Sequence, residues 1–299
     1  LLGHLYRDQQ LHTEALLSYQ QALSLNPKHQ ILQESVQEVL RLHNQSLNKS
    51  NRLQESKMRR RLEQTWAGIQ ELPSDSPSRV HIQKALANKN PSAPPEGYVA
   101  ELFDEYAERF DAHLVAALSY QAPKLVAAVF NNRYSEEQPA SELLDLGVGT
   151  GLLGDLVSER TKRMIGVDIS KKMLRLAEDK NLYQELHCQD IVQFLEQSEE
   201  GFQVIVATDT LVYFGDLSPF IRGVALRLKE SGHCILTVEK GIFDDYQLNF
   251  NGRYRHSFGY IQRLAWENGL SVTRSTQINL RKGGGVWVQG LIMVLEPSS

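Results

Sequence analysis

The stretch ELLDLGVGTGLLG, residues 142–154, decides the fold class of this chain. Five residues of a mainly apolar strand lead into a turn of alternating glycines, which is followed by the start of a helix. Glycine suits such a turn because it adopts positive φ angles and lets a ligand approach the main chain closely. The amino end of the helix then presents positive partial charge to that ligand. This pattern predicts a nucleotide-type binding loop.

The sequence around the glycine loop alternates short runs of Val, Ile and Leu with amphipathic helical stretches. Such alternation is typical of βαβ units, so we predict an α/β, Rossmann-like, mostly parallel sheet. The last two strands are separated only by a turn at 281–285, which predicts a C-terminal antiparallel hairpin at the sheet edge. The seven predicted strands are 142–146, 163–168, 185–189, 203–208, 233–238, 270–280 and 286–295.

Two nucleotide classes fit the glycine loop. Gly149, Gly151 and Gly154 satisfy the GxGxxG pattern of NAD sites, which is a weak signal alone. Asp145, however, precedes the first glycine by two residues, where its charge would repel a pyrophosphate. A carboxylate there favours a ligand with cationic groups. The terminal hairpin is also foreign to an all-parallel dinucleotide sheet.

DLGVGTG, residues 145–151, resembles the first motif of class I S-adenosylmethionine (SAM)-dependent methyltransferases, and the resemblance extends over about residues 98–296. It implies SAM as the cofactor. It also implies that the methionine part of SAM is surrounded by Asp145, Gly147, Gly149 and Gly151.

Three further segments are similar to later motifs of that family. In GVDIS, residues 166–170, Asp168 would accept the ribose hydroxyls and Ile169 follows it. Asp190 and Ile191 would contact the adenine, although an isolated Asp at that position also suits a helix N-cap. The segment 201–214 places Thr208 and Asp209 at the carboxyl end of the central strand. It departs from the family pattern at Gln203, where an Asp is common.

The first 27 residues resemble one tetratricopeptide (TPR) repeat, with matches at Gly3, Tyr6, Ala15, Tyr19, Ala22 and Pro27. We therefore predict a TPR-like region with two capping helices over 1–72, a Pro-rich linker over 73–95 and a methyltransferase domain over 96–299. An ordinary helical hairpin is the alternative. Because one repeat cannot bury its own apolar face, the pattern predicts more repeats upstream. The combination resembles a bacterial group of predicted TPR-containing methyltransferases.

An aromatic stripe at near-helical spacing precedes the glycine loop. It predicts an N-terminal helix that either covers the cofactor site as a lid or only packs on the sheet. We expect Tyr98 and Tyr106 to contact the cofactor. The stripe consists of Tyr98, Phe103, Tyr106, Phe110 and His113.

Methyl transfer requires alignment of the acceptor and, for some acceptors, removal of a proton. The candidate bases are Asp209, Glu239 and His256, with Tyr213 and Tyr254 as lining groups. Each base has a structural alternative: His256 as a packed residue, and Glu239 as a partner of Lys240 or Arg253. The Asn-Pro-Pro-Tyr motif of enzymes that methylate amino groups of nucleic acids or glutamine is absent, which disfavours those acceptors.

The composition of the chain disfavours several classes of binding partner. The formal net charge is −4, so a strongly basic nucleic-acid-binding domain is not expected. The two cysteines have no metal-ligand spacing, and no apolar run approaches the roughly 20 residues of a membrane helix. We therefore expect a cytoplasmic protein with no metal and no membrane or nucleic-acid partner.

The favoured function is transfer of a methyl group from SAM to an unidentified acceptor, with a small molecule slightly preferred. The alternatives are a protein acceptor delivered by the TPR helices, a non-catalytic SAM-binding scaffold that recruits partners through them, and an NAD-linked oxidoreductase.

Overall fold

The computed structural model describes residues 34, 35 and 38 and residues 71–298 apart from 88, 118, 243, 250, 284 and 285. Contacts between Cα atoms divide the chain into two units, Leu1–Ala67 and Gly68–Ser299. The predicted TPR repeat and capping helices lie outside the described residues except at a few positions. They stay a prediction.

The second unit contains a nine-stranded sheet in the order β3-β2-β1-β4-β5-β7-β6, with β9 pairing β5 and β8 pairing β9. Strands β1 to β5 are parallel, and β9 runs antiparallel to both β5 and β8. The strands are β1 Ala140–Leu146, β2 Thr161–Asp168, β3 Glu185–Cys188, β4 Phe202–Ala207, β5 Leu228–Lys240, β6 Tyr246–Leu248, β7 Tyr254–His256, β8 Leu270–Gly283 and β9 Val286–Pro297.

The prediction of seven strands is wrong by two, β6 and β7. Each spans only three residues, too few for the alternation by which a strand is recognised. Strand β7 pairs in parallel with β5 at Glu239 and Lys240. Because β9 occupies the opposite edge of β5 at Glu239, β7 lies on the β4 side, beyond the carboxyl end of β4.

Helices cover both faces of the sheet because side chains alternate along each buried strand. In β4, Ile205 packs in the cluster with α6, α7 and α8, whereas Val204 and Val206 pack in the cluster with α3. No helix among the described residues is long and apolar enough to cross a membrane. The helices are α1 Pro77–Leu86, α2 Tyr98–Ala117, α3 Ala122–Asn131, α4 Gly154–Val157, α5 Lys171–Glu178, α6 Ile191–Gln197, α7 Ser218–Arg227 and α8 Phe258–Glu267.

The segment predicted as a Pro-rich linker, residues 73–95, packs against the sheet unit where it is described. It contains α1, which begins after the N-cap Ser76. The carbonyl oxygen of Ser92 accepts hydrogen bonds from the backbone of Gly215 and Asp216, at 3.1 and 2.8 Å. The side chain of Asn90 bonds the backbone of β6. These contacts join residues far apart in sequence, so composition does not indicate them.

Strand β9 is central to the stability of this unit because it fills the space between β5 and β8. Met293 in β9 is fully buried in the cluster that includes α6, α7 and α8. We predict that Met293→Ala lowers the free energy of unfolding by about 2–5 kcal/mol, through lost burial and a cavity. Denaturant unfolding measures this. Ser275→Ala, at the exposed position opposite Met293 on β8, is the matched control and should change it by less than about 0.5 kcal/mol. Equal losses in the two variants would contradict the assignment.

Candidate functional site

A cavity of about 850 Å³ lies at the carboxyl ends of the parallel strands, the usual ligand position in such sheets. Its volume is within the range of small-molecule sites. The glycine loop 147–150 forms one wall, and α2 and residues 93–97 form others. Among the described residues, no three His, Cys, Asp or Glu side chains are grouped as potential metal ligands.

The glycine loop is held against β2 by its own backbone. The amides of Gly147 and Val148 both donate to the carbonyl oxygen of Val167, at 2.8 and 3.1 Å. Gly147 has a φ of +77°, and an added Cβ would lie 2.2 Å from Thr210 Oγ1. At Gly149, with a φ of +55°, an added Cβ would meet nothing within 4 Å. Gly149 therefore exposes backbone to the cavity, whereas Gly147 is closely packed.

Asp168, at the end of β2, connects the glycine loop to the cavity. Its Oδ2 accepts from the Gly149 amide at 2.8 Å, and its Oδ1 accepts from the Ser170 amide at 2.9 Å. Burial raises its pKa, against the lowering effect of these backbone donors. A carboxylate has about four acceptor sites, so Asp168 can accept a further hydrogen bond from a ligand in the cavity.

Asp145, at the end of β1, is buried and also lines the cavity. It accepts a hydrogen bond from the Tyr183 hydroxyl at 2.8 Å. Burial raises its pKa to about 7, the Tyr183 bond opposes this shift, and the charge of Asp168 adds to it. A cation bound beside Asp145 would favour its ionised form. Gly151 faces Tyr183 rather than the cavity, with an added Cβ 3.3 Å from that ring.

The third predicted acid, Asp190, is a helix N-cap that also lines the cavity. Its Oδ1 caps α6, accepting from the amides of Val192 and Gln193 at 2.9 and 3.0 Å. The residue nevertheless lines the cavity, together with Ile169 and Ile191. The carboxyl ends of β1, β2 and β3 thus place Asp145, Asp168 and Asp190 along one cavity.

Thr208 and Asp209 follow β4 and also line the cavity. Thr208 Oγ1 is buried and has no hydrogen-bond partner in the part of the chain that the structure describes. The Asp209 amide donates to Thr237 Oγ1 at 2.7 Å, and the residue has a positive φ of 54°. The unpaired hydroxyl of Thr208 is therefore available to a ligand.

Asp209 and Glu239 are both ion-paired with Arg281, which is 4% exposed. Arg281 Nη1 donates to the two Asp209 oxygens at 2.6 and 2.8 Å, and its Nη2 donates to Glu239 Oε1. Glu239 does not line the cavity. Arg281 lies in β8, not in the turn predicted at 281–285. Both carboxylates are thus engaged as counterions of Arg281.

His256 does not reach the cavity. It is fully buried in β7, and its Nε2 lies 3.0 Å from the carbonyl oxygen of Gly215. Because a carbonyl only accepts, Nε2 carries the proton in this contact. Burial lowers the pKa of His256 to about 4. Tyr254 is likewise fully buried and does not line the cavity, whereas Tyr213 does. The sequence predicts His256 as a candidate base, whereas the structure places it in β7 and outside the cavity lining.

Helix α2 lines one side of the cavity and also packs against other residues of the sheet unit. Phe103, Tyr106 and Phe110 line the cavity, but Tyr98 is buried against Tyr213 and His81 and does not. Asp104 attaches the helix to the start of α5 through the Ser170 hydroxyl, at 2.5 Å. The side chain of His113, the remaining member of the stripe, lies outside the described residues.

Sequence reasoning misses several groups at this site: Tyr183 behind the glycine loop, Asp104 on the lid, and Arg253 and Tyr120 in the cavity wall. The sequence indicates Arg253 only as an alternative partner of Glu239. Nothing in the local pattern marks these residues, because each reaches the site through a contact between elements distant in sequence.

Residues 143–232 match the family model described as a methyltransferase domain. A ubiquinone biosynthesis O-methyltransferase of Coxiella burnetii is 26% identical over 121 residues, which are 38% of this chain and 51% of the relative. The chain thus matches about half the length of that protein.

Two solved structures have a similar fold. The 1,6-didemethyltoxoflavin-N1-methyltransferase of Burkholderia thailandensis, with S-adenosylhomocysteine bound, has a TM-score of 0.54 at 16% identity, over 70% of this chain and 92% of that one. The N-methyltransferase NodS of Bradyrhizobium japonicum, also with S-adenosylhomocysteine bound, has a TM-score of 0.53 at 15% identity. The match covers 67% of this chain and 98% of NodS. Residues 143–232 therefore resemble a methyltransferase domain, and the sheet unit has the Rossmann-like fold of these two solved methyltransferases.

Proposed function

We propose that this protein transfers a methyl group from SAM to a small-molecule acceptor. The observation that carries the proposal is the alignment of Asp145, Asp168 and Asp190, at the ends of three neighbouring strands, along one cavity beside an open glycine loop. SAM has an ammonium group, a ribose diol and an adenine amino group, and each can donate a hydrogen bond to a carboxylate.

The residues present fit that cofactor. Asp145 would hold the methionine ammonium group, Asp168 the ribose hydroxyls, and Asp190 with Ile191 the adenine. Gly149 leaves open space on its Cα, so a ligand can approach the loop backbone. When bound, SAM supplies an electrophilic methyl group on a sulfonium. A dinucleotide would instead place its pyrophosphate near the buried acid Asp145.

The chain's own contribution is alignment and exclusion of water. Phe103, Tyr106 and Phe110 of α2 provide an apolar cover, and Asp104 holds that helix in place. A dry, preorganised site strengthens electrostatic interactions with the reacting groups. We propose that Asp209 and Glu239 act as positioning residues through Arg281. We propose no proton transfer by His256, because the His256 ring lies outside the cavity.

A small acceptor is supported by the size of the cavity, about 850 Å³, which α2 and residues 93–97 help to line. It is also consistent with the ubiquinone-pathway name of the curated relative. The direct experiment is calorimetric titration with S-adenosylhomocysteine and NADH, followed by transfer of labelled methyl to small-molecule and protein fractions. Preferential binding of NADH would overturn the proposal. Labelled methyl found only in the protein fraction would show that the acceptor is a protein rather than a small molecule.

Asp168→Asn should weaken S-adenosylhomocysteine binding by about 1–3 kcal/mol. The substitution removes the charge but keeps a carbonyl oxygen to accept from the Gly149 amide. Calorimetry measures the affinity. Asp179→Asn, at an exposed position of the same charge, is the matched control and should leave it unchanged. Unchanged affinity in Asp168→Asn would remove the ribose assignment.

Alanine substitutions at the two glycines should have different effects. Gly147→Ala should lower the free energy of unfolding by about 1–3 kcal/mol, since its methyl group would overlap Thr210. Gly149→Ala should cost only about 1 kcal/mol of stability, because its methyl group enters open space. It should nevertheless weaken S-adenosylhomocysteine binding, because that space is the cavity. Unfolding curves and calorimetry separate the two effects. Wild-type affinity in Gly149→Ala would show that the ligand does not approach this loop.

Cofactor affinity should depend on pH through Asp145. Its pKa is about 7, and the ionised form binds a cation, so affinity should fall as pH is lowered through 7. The limiting slope is about tenfold per pH unit for a single ionisation. Asp145→Asn should bind weakly with much of this dependence lost. The measurement is calorimetric affinity between about pH 6 and about pH 8. An identical profile in wild type and variant would assign the titration to another group.

A further inference from the structure

Arg253 is a cation in the cavity wall whose neighbours do not use its hydrogen-bonding capacity. Its side chain is 25% exposed, and its Nη1 atom is buried without a hydrogen-bond partner among the described residues. The nearest carboxylate oxygens, on Asp209 and Glu239, are 3.8 and 3.9 Å from Nη1, beyond hydrogen-bond distance. A buried donor left unsatisfied is costly, so this position points to a ligand group.

The two neighbouring carboxylates already have a counterion. Arg281 bonds both oxygens of Asp209 and one oxygen of Glu239. Arg255 lies 3.7 Å from the other Glu239 oxygen, with a side chain that is 43% exposed. Three arginines therefore surround two acids. Arg253 is the arginine of this group that lines the cavity, beside Asp209, whose oxygens already accept from Arg281.

The ring of Tyr213 orients Arg253. The guanidinium carbon lies 5.5 Å from the centroid of that ring, within the range of a cation–π contact. The ring in turn packs edge-on against Phe103 of α2, with centroids 5.2 Å apart. The guanidinium is thus placed between an aromatic wall and the charged cluster, and it is preorganised for a planar partner.

Arg253 lies on the opposite side of β1 from Asp168. It immediately precedes β7, which lies beside β5 and beyond the end of β4, whereas the glycine loop follows β1 and Asp168 ends β2. Strand β4 is the neighbour of β1, and neighbouring strands are about 4.8 Å apart. A group on Arg253 would therefore lie about one strand spacing from the line of β1, on the side away from the ribose site proposed at Asp168.

We infer that the methyl acceptor is a planar molecule with a carboxylate group, and that Arg253 binds this carboxylate. The inference rests on the proposed methyltransferase function and names its substrate class. Arg253 is the one cation among the described residues that line the cavity, so it is the group that selects charge there. The other charged lining residues are acids: Glu96, Asp145, Asp168, Asp190 and Asp209. An anionic acceptor would be repelled elsewhere in the cavity and held at this position.

The test compares benzoate with its neutral analogue benzamide on protein saturated with S-adenosylhomocysteine, by NMR titration. We expect benzoate to bind at least about tenfold more tightly, the scale of a charge-assisted hydrogen bond. Arg253→Gln should abolish this preference and leave S-adenosylhomocysteine affinity unchanged. Arg255→Gln, the matched loss of charge outside the cavity, should retain the preference. Inorganic phosphate in the same titration distinguishes a carboxylate site from a general anion site.

Several outcomes would overturn the inference. Equal binding of benzoate and benzamide to wild type, or no benzoate binding, would do so without any variant. Loss of S-adenosylhomocysteine affinity in Arg253→Gln, with the benzoate preference intact, would assign Arg253 to the cofactor carboxylate instead. Phosphate binding tighter than benzoate would contradict the planar acid. Failure of the wild-type protein to bind S-adenosylhomocysteine would count against the methyltransferase proposal itself. The titration with S-adenosylhomocysteine therefore tests the cofactor, and the titration with benzoate tests the acceptor class.

Discussion

The hydrogen bonds between the glycine loop and the end of β2 are the constraint on which the rest of the cavity depends. Two loop amides donate to the Val167 carbonyl, and a third, from Gly149, donates to the Asp168 carboxylate. These bonds bring the ends of β1 and β2 together and hold two buried acids in one wall. Burial raises the pKa of Asp145 and the charge of Asp168 adds to this shift, so the ionised form of Asp145 is disfavoured without a ligand. A cationic ligand relieves that cost.

A second polar network organises the opposite end of the cavity. Arg281, from β8, joins Asp209 beyond β4 to Glu239 in β5. Because these groups are buried, each charge requires its partner, and removal of one would leave another unsatisfied. This arrangement explains why acids that suit proton transfer by sequence act as structural counterions. It also leaves Arg253 as the charge directed at the cavity.

The two ends divide the cavity between different chemistries. Carboxylates line the part beside the glycine loop, and an arginine on an aromatic ring lines the part beyond β4. The lid helix α2 spans both, since its aromatic side chains cover the cavity while Asp104 anchors it to α5. In the proposed function, these opposite charges would hold a cationic donor and an anionic acceptor at separate positions of one cavity.

The sequence by itself determined the parallel sheet, the terminal hairpin, the glycine loop and the acids Asp145, Asp168 and Asp190. Those features follow from local patterns. Apolar strand residues, the glycines of the turn and the acids at the strand ends lie close together in the sequence. Only the tertiary structure decided the roles of His256, Glu239 and Arg253, and it added the short strands β6 and β7. Whether a side chain is a base, a counterion or a ligand group depends on partners that are distant in sequence. Arg281 meets Asp209 across 72 positions, and no local periodicity records that contact.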